Sequence, residues 1–156
     1  MNKEFISYEQ ALELKELGFD EHCFGYYVDG ELRGVNLGYE ELGGVKPYYQ
    51  RFGFHTITNN DMDNSNKVVV STPLYQQAFR WFREKYGYDI HIRGAIFRAS
   101  YVIGVPKEIN IKSVDGYPVV ITWDYIIDET GERKTYEEAE HACLNKLIEI
   151  KKIYHQ

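Results

Sequence analysis

"STPLYQQAFRWFREKYGYDIHIR", residues 71–93, changes its hydrophobic period in mid-course, and that change sets the fold class. Up to Tyr86 the apolar residues recur at helical spacing. Beyond it, Tyr88, Ile90 and Ile92 alternate with Asp89, His91 and Arg93, the period-two pattern of a half-buried strand. The preceding "KVVVS" reads as a buried strand that leads straight into the helix, with Ser71 or Thr72 as the cap and Pro73 in the first turn. Strand, helix and strand thus follow one another within thirty residues.

The helix of this stretch carries most of the rings. At 100° per residue, Leu74, Tyr75, Ala78, Phe79, Phe82 and Tyr86 span an arc of about 140°. Gln76, Arg80, Arg83 and Glu84 fall opposite, and Trp81 stands at the edge between the two faces. A ring stripe at helical spacing fills a core before it serves a ligand, so these rings read mainly as packing. Trp81, with Arg80 and Arg83, is the exception that can reach a groove.

Working outward, "SYEQALELKELG" signals a first helix: Ser7 caps, Gln10 completes a capping box, and Gly18 suits a left-handed stop. Asp29-Gly30 is a hairpin turn after a strand at residues 23–28. Residues 30–66 hold six glycines and the polar run "TNNDMDNSN", a loop-rich segment with a strand near residues 48–57. Further on, Asp115-Gly116 precedes the alternating "YPVVITWDYIIDE" and forms a turn, with "EINIKSV" as its hairpin partner. The last element, "TYEEAEHACLNKLIEIKKIYHQ", opens with a capping box from Thr135 to Glu138 and carries an apolar stripe of Tyr136, Ala139, Cys143, Leu147, Ile150 and Tyr154. The similar starts "SYEQA" and "TYEEA" reflect shared capping chemistry rather than a repeat. The expectation is a single α+β domain over residues 1–156, a mostly antiparallel sheet covered by three helices, in the order helix, strands, helix, strands, helix.

Length supports one core of ordinary size, and no segment has the low hydrophobicity and high charge of a disordered chain. The 18 Lys and Arg against 24 Asp and Glu give a formal charge of -6, which argues against loose attachment to nucleic-acid backbones. No signal-like or membrane-spanning run is evident, so a cytosolic, membrane-free protein is expected. The two cysteines, Cys23 and Cys143, are too few for a disulfide framework and read as small buried apolar residues.

Motifs for chemistry are scarce. "DMDNSN" begins like a calcium loop, but Asn66 stands where glycine is required and Thr72 where a bidentate Glu belongs. His22, His55, His91, His141 and His155 have no zinc spacing. His141 and Cys143, two apart on a helix, point about 200° apart, and His22 and Cys23 point to opposite sides of a strand, so neither pair can act together. No nucleophile elbow, phosphate loop or dinucleotide fingerprint occurs, and no cofactor or metal is implied. The most promising set is Asp89, His91 and Arg93 along one side of a strand, with Arg98 and Tyr101 further on. Uncovered, that face offers donors and an imidazole to an anionic ligand, and the 14 tyrosines favour stacking of planar groups; covered by water alone, it is a solvated strand.

The sheet-then-helix layout of "VVITWDYIIDETGERKTYEEAEHACLNKL" is similar to that of the arm-type DNA-binding domains of phage integrases. Such domains are basic on the sheet, whereas Asp124, Asp128, Glu129 and Glu132 make this region acidic. Three blocks, "EFISYEQALELKELGFDEHCFGYY", "PLYQQAFRWFREKYG" and "KTYEEAEHACLNKLIEIKK", together resemble a family of small hypothetical proteins found in Bacteroidota and in their phages and prophages. His22 stands where that family more often has proline, and Lys151 where an apolar residue is usual. The resemblance implies a short cytosolic protein carried on mobile elements and acting by binding; it brings no catalytic residue with it. The expected function is therefore non-enzymatic binding of a nucleotide-like small molecule or a host protein, as in counter-defence by sequestration. Arg80, Trp81, Arg83, His91 and Arg93 form the contact set, and a homo-oligomer stays open. The alternatives are a phosphodiester hydrolase using the histidines and a DNA-binding accessory factor.

Overall fold

A computed structural model describes residues 4–34, 48–49, 55–59, 68–95, 98–106, 123–127 and 133–154. It shows an α+β protein with three helices and antiparallel strands in the expected order. The chain divides into two compact units, Met1–Ala78 and Phe79–Gln156.

The first unit opens with α1, Tyr8–Glu16. Its capping box is complete: Ser7 Oγ accepts from the Gln10 N–H at 3.3 Å, and Gln10 Oε1 accepts from the Ser7 N–H at 3.1 Å. Two otherwise orphaned backbone donors are satisfied reciprocally. At the far end Gly18 adopts a φ of 81°, a left-handed value that needs no Cβ, and the Phe19 N–H returns to the Leu14 carbonyl. The strand β1, Gly25–Val28, pairs antiparallel with β2, Glu31–Gly34, across Asp29-Gly30. Both turn residues have positive φ, 49° and 85°, the geometry that matches strand twist in a two-residue hairpin. On its other side β1 pairs antiparallel with β5, Val69–Thr72, giving the order β2-β1-β5.

Two short strands, β3 (Tyr48–Tyr49) and β4 (His55–Thr56), form a separate antiparallel ribbon where one strand was expected over residues 48–57. Ile57 then bridges Cys23. Asn59, buried, joins three parts of the unit: its Nδ2 donates to the Phe19 carbonyl at 2.7 Å, and its Oδ1 accepts from the Ser71 N–H at 3.0 Å. The calcium-like run at 61–66, the strand at 108–114, the Asp115-Gly116 turn, residues 117–122 and the acidic residues at 128, 129 and 132 lie outside the described residues. So does most of the glycine-rich segment.

The second helix, α2, is Tyr75–Tyr86 and starts later than the cap residues suggest. Ser71 and Thr72 belong to β5 instead. The cause is a partner distant in sequence: Phe5 bridges Leu74, the Ile6 N–H donates to the Pro73 carbonyl, and the Tyr75 N–H donates to the Glu4 carbonyl. Pairing therefore holds residues 72–74 extended, and Glu4 supplies an acceptor to the first turn.

The second unit is built on β6 (Asp89–Ala95), β7 (Arg98–Pro106) and β8 (Trp123–Ile127), antiparallel in the order β6-β7-β8. The last helix, α3, is Tyr136–Tyr154 and lies against β6 and β7. Thr135 Oγ1 accepts from the Glu138 N–H at 3.1 Å, and the Glu138 carboxylate accepts from the Lys134 N–H rather than from that of the cap residue. Ala139, Cys143, Leu147 and Ile150 of the expected stripe are buried, joined by Leu144 and Ile148, while Tyr136 is largely exposed. Among the described residues no helix is long and apolar enough to cross a membrane.

Candidate functional site

Alternation along β6 sorts the second unit's sheet into two faces. Ile90, Ile92 and Gly94 share one face with Ala99, Tyr101 and Ile103, their partners on β7. That face meets α3: Ala99 and Ile103 are buried, and a Cβ on Gly94 would stand 3.4 Å from the Tyr136 ring. Tyr101 belongs here as well, with the Arg133 guanidinium 5.3 Å above its ring, so it is not available beside His91. Asp124, opposite Val105, is on this side too.

The other face carries Asp89, His91 and Arg93, opposite Gly104, Val102 and Ser100. Tyr125 joins them through its register with Gly104, and Arg98 through its register with Ala95. Here a hollow of about 340 Å³ is lined by Asp89, His91, Arg93, Val102 and Tyr125. Val102, 6% exposed, forms an apolar floor, and Tyr125, 54% exposed, offers ring surface at the side. The volume lies at the small end of the range for ligand pockets.

The hollow sets a guanidinium beside a hydrogen-bonded carboxylate and imidazole. His91 Nε2 lies 2.9 Å from Asp89 Oδ1. A proton on Nε2 donates to the carboxylate, which makes Nδ1 the acceptor of the neutral ring. Both side chains are partly exposed, so the pair orients the imidazole more than it stabilises the fold, by under about 1 kcal/mol. Neither Arg93 nor Arg98 has an ion-pair partner among the described residues. With the imidazole neutral, Asp89 and Arg93 balance within the hollow, and Arg98 on the same face adds one positive charge in a chain of net charge -6.

The α2 residues expected in the contact set go elsewhere. Trp81, placed by the helical wheel at the edge of the helix, is only 5% exposed. Its ring meets Phe82 and Tyr86 edge-on, with centroids 5.0 and 5.2 Å away, and the Lys85 ammonium sits 4.6 Å from its centroid. The ring of the next residue and one from the following turn, together with the lysine stem, close over the indole and take it out of reach of a groove. Tyr88 extends the cluster by stacking on Phe82 at 6.0 Å. Lys151 Nζ lies 4.3 Å above Tyr86, and partial burial together with the nearby Lys85 charge holds its pKa below the ordinary lysine value. Arg80 and Arg83 are exposed, Arg80 beside Glu84 at 4.0 Å, and neither is among the residues lining the hollow. His91 and Arg93 are thus brought together, and Arg80, Trp81 and Arg83 do not join them there. Val102 and Tyr125 were missed as site residues; the alternation around Tyr125 was legible, but its register against Gly104 was not.

The thiols are inert in character. Cys23 is fully buried, and that burial pushes its pKa up to about 12. Cys143 is equally buried while His141 is exposed and contacts Asn145, so the two face apart. Among the described residues no three His, Cys, Asp or Glu side chains gather as for a metal ion. No family model, curated protein or solved structure matches the chain.

Proposed function

We propose that the protein is a non-enzymatic binding protein that holds one anionic, planar small molecule of nucleotide type on the open face of β6, β7 and β8, and acts in the cytosol by sequestering it. The observation that carries this reading is the 340 Å³ hollow, with Arg93 and His91 at an apolar floor and Tyr125 beside it. Arg93 supplies a charge-assisted contact to phosphate, Tyr125 a stacking surface, and Val102 a dry contact beneath the ligand. In this reading Arg93 meets the phosphate of a nucleoside monophosphate and Tyr125 its base.

The test is titration calorimetry with a panel of nucleoside monophosphates, alongside heat release and mass analysis of whatever the purified protein carries. One ligand per chain is expected. Arg93→Ala should weaken it about tenfold to a hundredfold, the cost of losing a hydrogen bond to a charged group. No binding across the panel, together with an empty protein, would refute the reading. A second reading, phosphodiester hydrolysis, draws on the Asp89–His91 bond, since a carboxylate-held imidazole is the arrangement of a general base. Recovery of the ligand unchanged after incubation separates binding from turnover.

A further inference from the structure

β6 is an outer strand: one edge pairs with β7, and among the described residues no strand lies on the other. A strand edge presents main-chain N–H and C=O groups in alternation and is a template for another strand. The sequence of β6 adds a self-complementary pattern of charge. Asp89 and Arg93 stand two residues either side of His91, and all three share one face.

Two copies of one strand can pair antiparallel about a twofold axis normal to the sheet when the axis passes through a residue pair. Centred on His91, the pairing sets Asp89 of each copy opposite Arg93 of the other, and Ile90 opposite Ile92. Centred on Ile92, it sets His91 opposite Arg93. Centred on Ile90, it leaves Arg93 opposite Gly87. Opposite charges across a strand pair attract, so the first register is favoured. Two further observations agree with it: Arg93 has no ion-pair partner among the described residues, and Ile92 is incompletely covered at the edge.

We propose that β6 pairs with β6 of a second copy of this chain, antiparallel and centred on His91, so that two three-stranded sheets become one of six strands. Main-chain hydrogen bonds supply the attraction, and the two Asp89–Arg93 pairs fix the register. Asp89 can keep His91 on one carboxylate oxygen while the other accepts from the guanidinium. Ile92 of each copy packs on Ile90 of the other, on the face that carries α3. The pairing uses the protein without ligand and does not depend on the reading of the hollow.

Sedimentation equilibrium over about 1 μM to about 1 mM tests this with the wild type, Asp89→Arg, Arg93→Asp, the double variant, and an equimolar mixture of the two single variants. Circular dichroism establishes that each is folded. The wild type and the double variant are expected to dimerise, each single variant to be monomeric, and the mixture to form a heterodimer. A monomeric wild type at the highest concentration overturns the proposal. So does either folded single variant that dimerises like the wild type, or a folded mixture that stays monomeric. Should a charge reversal prevent folding, Asp89→Asn and Arg93→Gln serve instead, each expected to raise the dissociation constant about tenfold; an unchanged constant overturns the pairing.

Discussion

β5 of the first unit and β6 of the second are both strands of three-stranded antiparallel sheets, yet β5 is buried along its whole length whereas in β6 Ile90 is buried while His91, Arg93 and Gly94 are exposed. Burial on both faces takes water from β5, and its polar groups turn to the protein, with the Ser71 hydroxyl left outside the hydrogen bonds among the described residues. Asn59 takes the Ser71 N–H, and the Thr72 hydroxyl donates to the Ile6 carbonyl at 3.4 Å. The polar residues of β6 instead stand on a face that no described helix covers, beside a hollow. In one unit polar side chains hold the fold together, and in the other His91 and Arg93 stand exposed.

Four measurements can break or sharpen that contrast. The largest effect belongs to Cys23. Its pKa is raised from 9.0 to about 12 by burial, so the unfolded chain loses the proton first. The stability held by the neutral thiol is complete below about pH 9 and falls as pH rises, by up to about 4 kcal/mol near pH 12. Urea unfolding of wild type against Cys23→Ala, from about pH 8 to about pH 12, should show the wild type losing ground steadily while other titrating groups cancel. Next, Asn59→Ala strands the Phe19 carbonyl and the Ser71 N–H and should cost about 3 kcal/mol in the same assay.

Gly25→Ala follows, because the new methyl would lie 2.7 Å from Phe5 Cε1 and 3.0 Å from Thr72 Cγ2. An overpacking cost of about 2 kcal/mol is expected, read as a lower thermal midpoint. Smallest is Arg93→Ala, which should change stability by less than about 0.5 kcal/mol while weakening ligand binding. A large loss of stability there would make Arg93 structural and erase the contrast.

What the sequence made legible is what depends on neighbours along the chain. Ser7 with Gln10, Thr135 near Glu138, and Asp29-Gly30 announce caps and a turn through local sterics and hydrogen bonding, and each is found in place. The alternation from Tyr88 to Arg93 likewise gave β6 and the shared face of His91 and Arg93. Partners distant along the chain were not legible. Residues 4–6 delay the start of α2, Lys85 and two rings enclose Trp81, and the register of β8 brings Tyr125 to the hollow. Each is a tertiary choice among several that the local pattern allows equally.

The pairing of residues 4–6 with residues 73–75 also bears on the order in which the molecule assembles. The Tyr27 hydroxyl and the Thr72 hydroxyl both donate to the Ile6 carbonyl, so this segment is held from two directions. Its contacts span most of the first unit in sequence, and closing so long a loop must precede any reward from them. Residues 4–6 are therefore among the last of the first unit to find their places, and the entry to α1 is sealed only once β5 and the opening turn of α2 are in position. Refolding of the first unit should accordingly be slower than that of the second, whose strands β6 and β7 are joined through neighbouring residues.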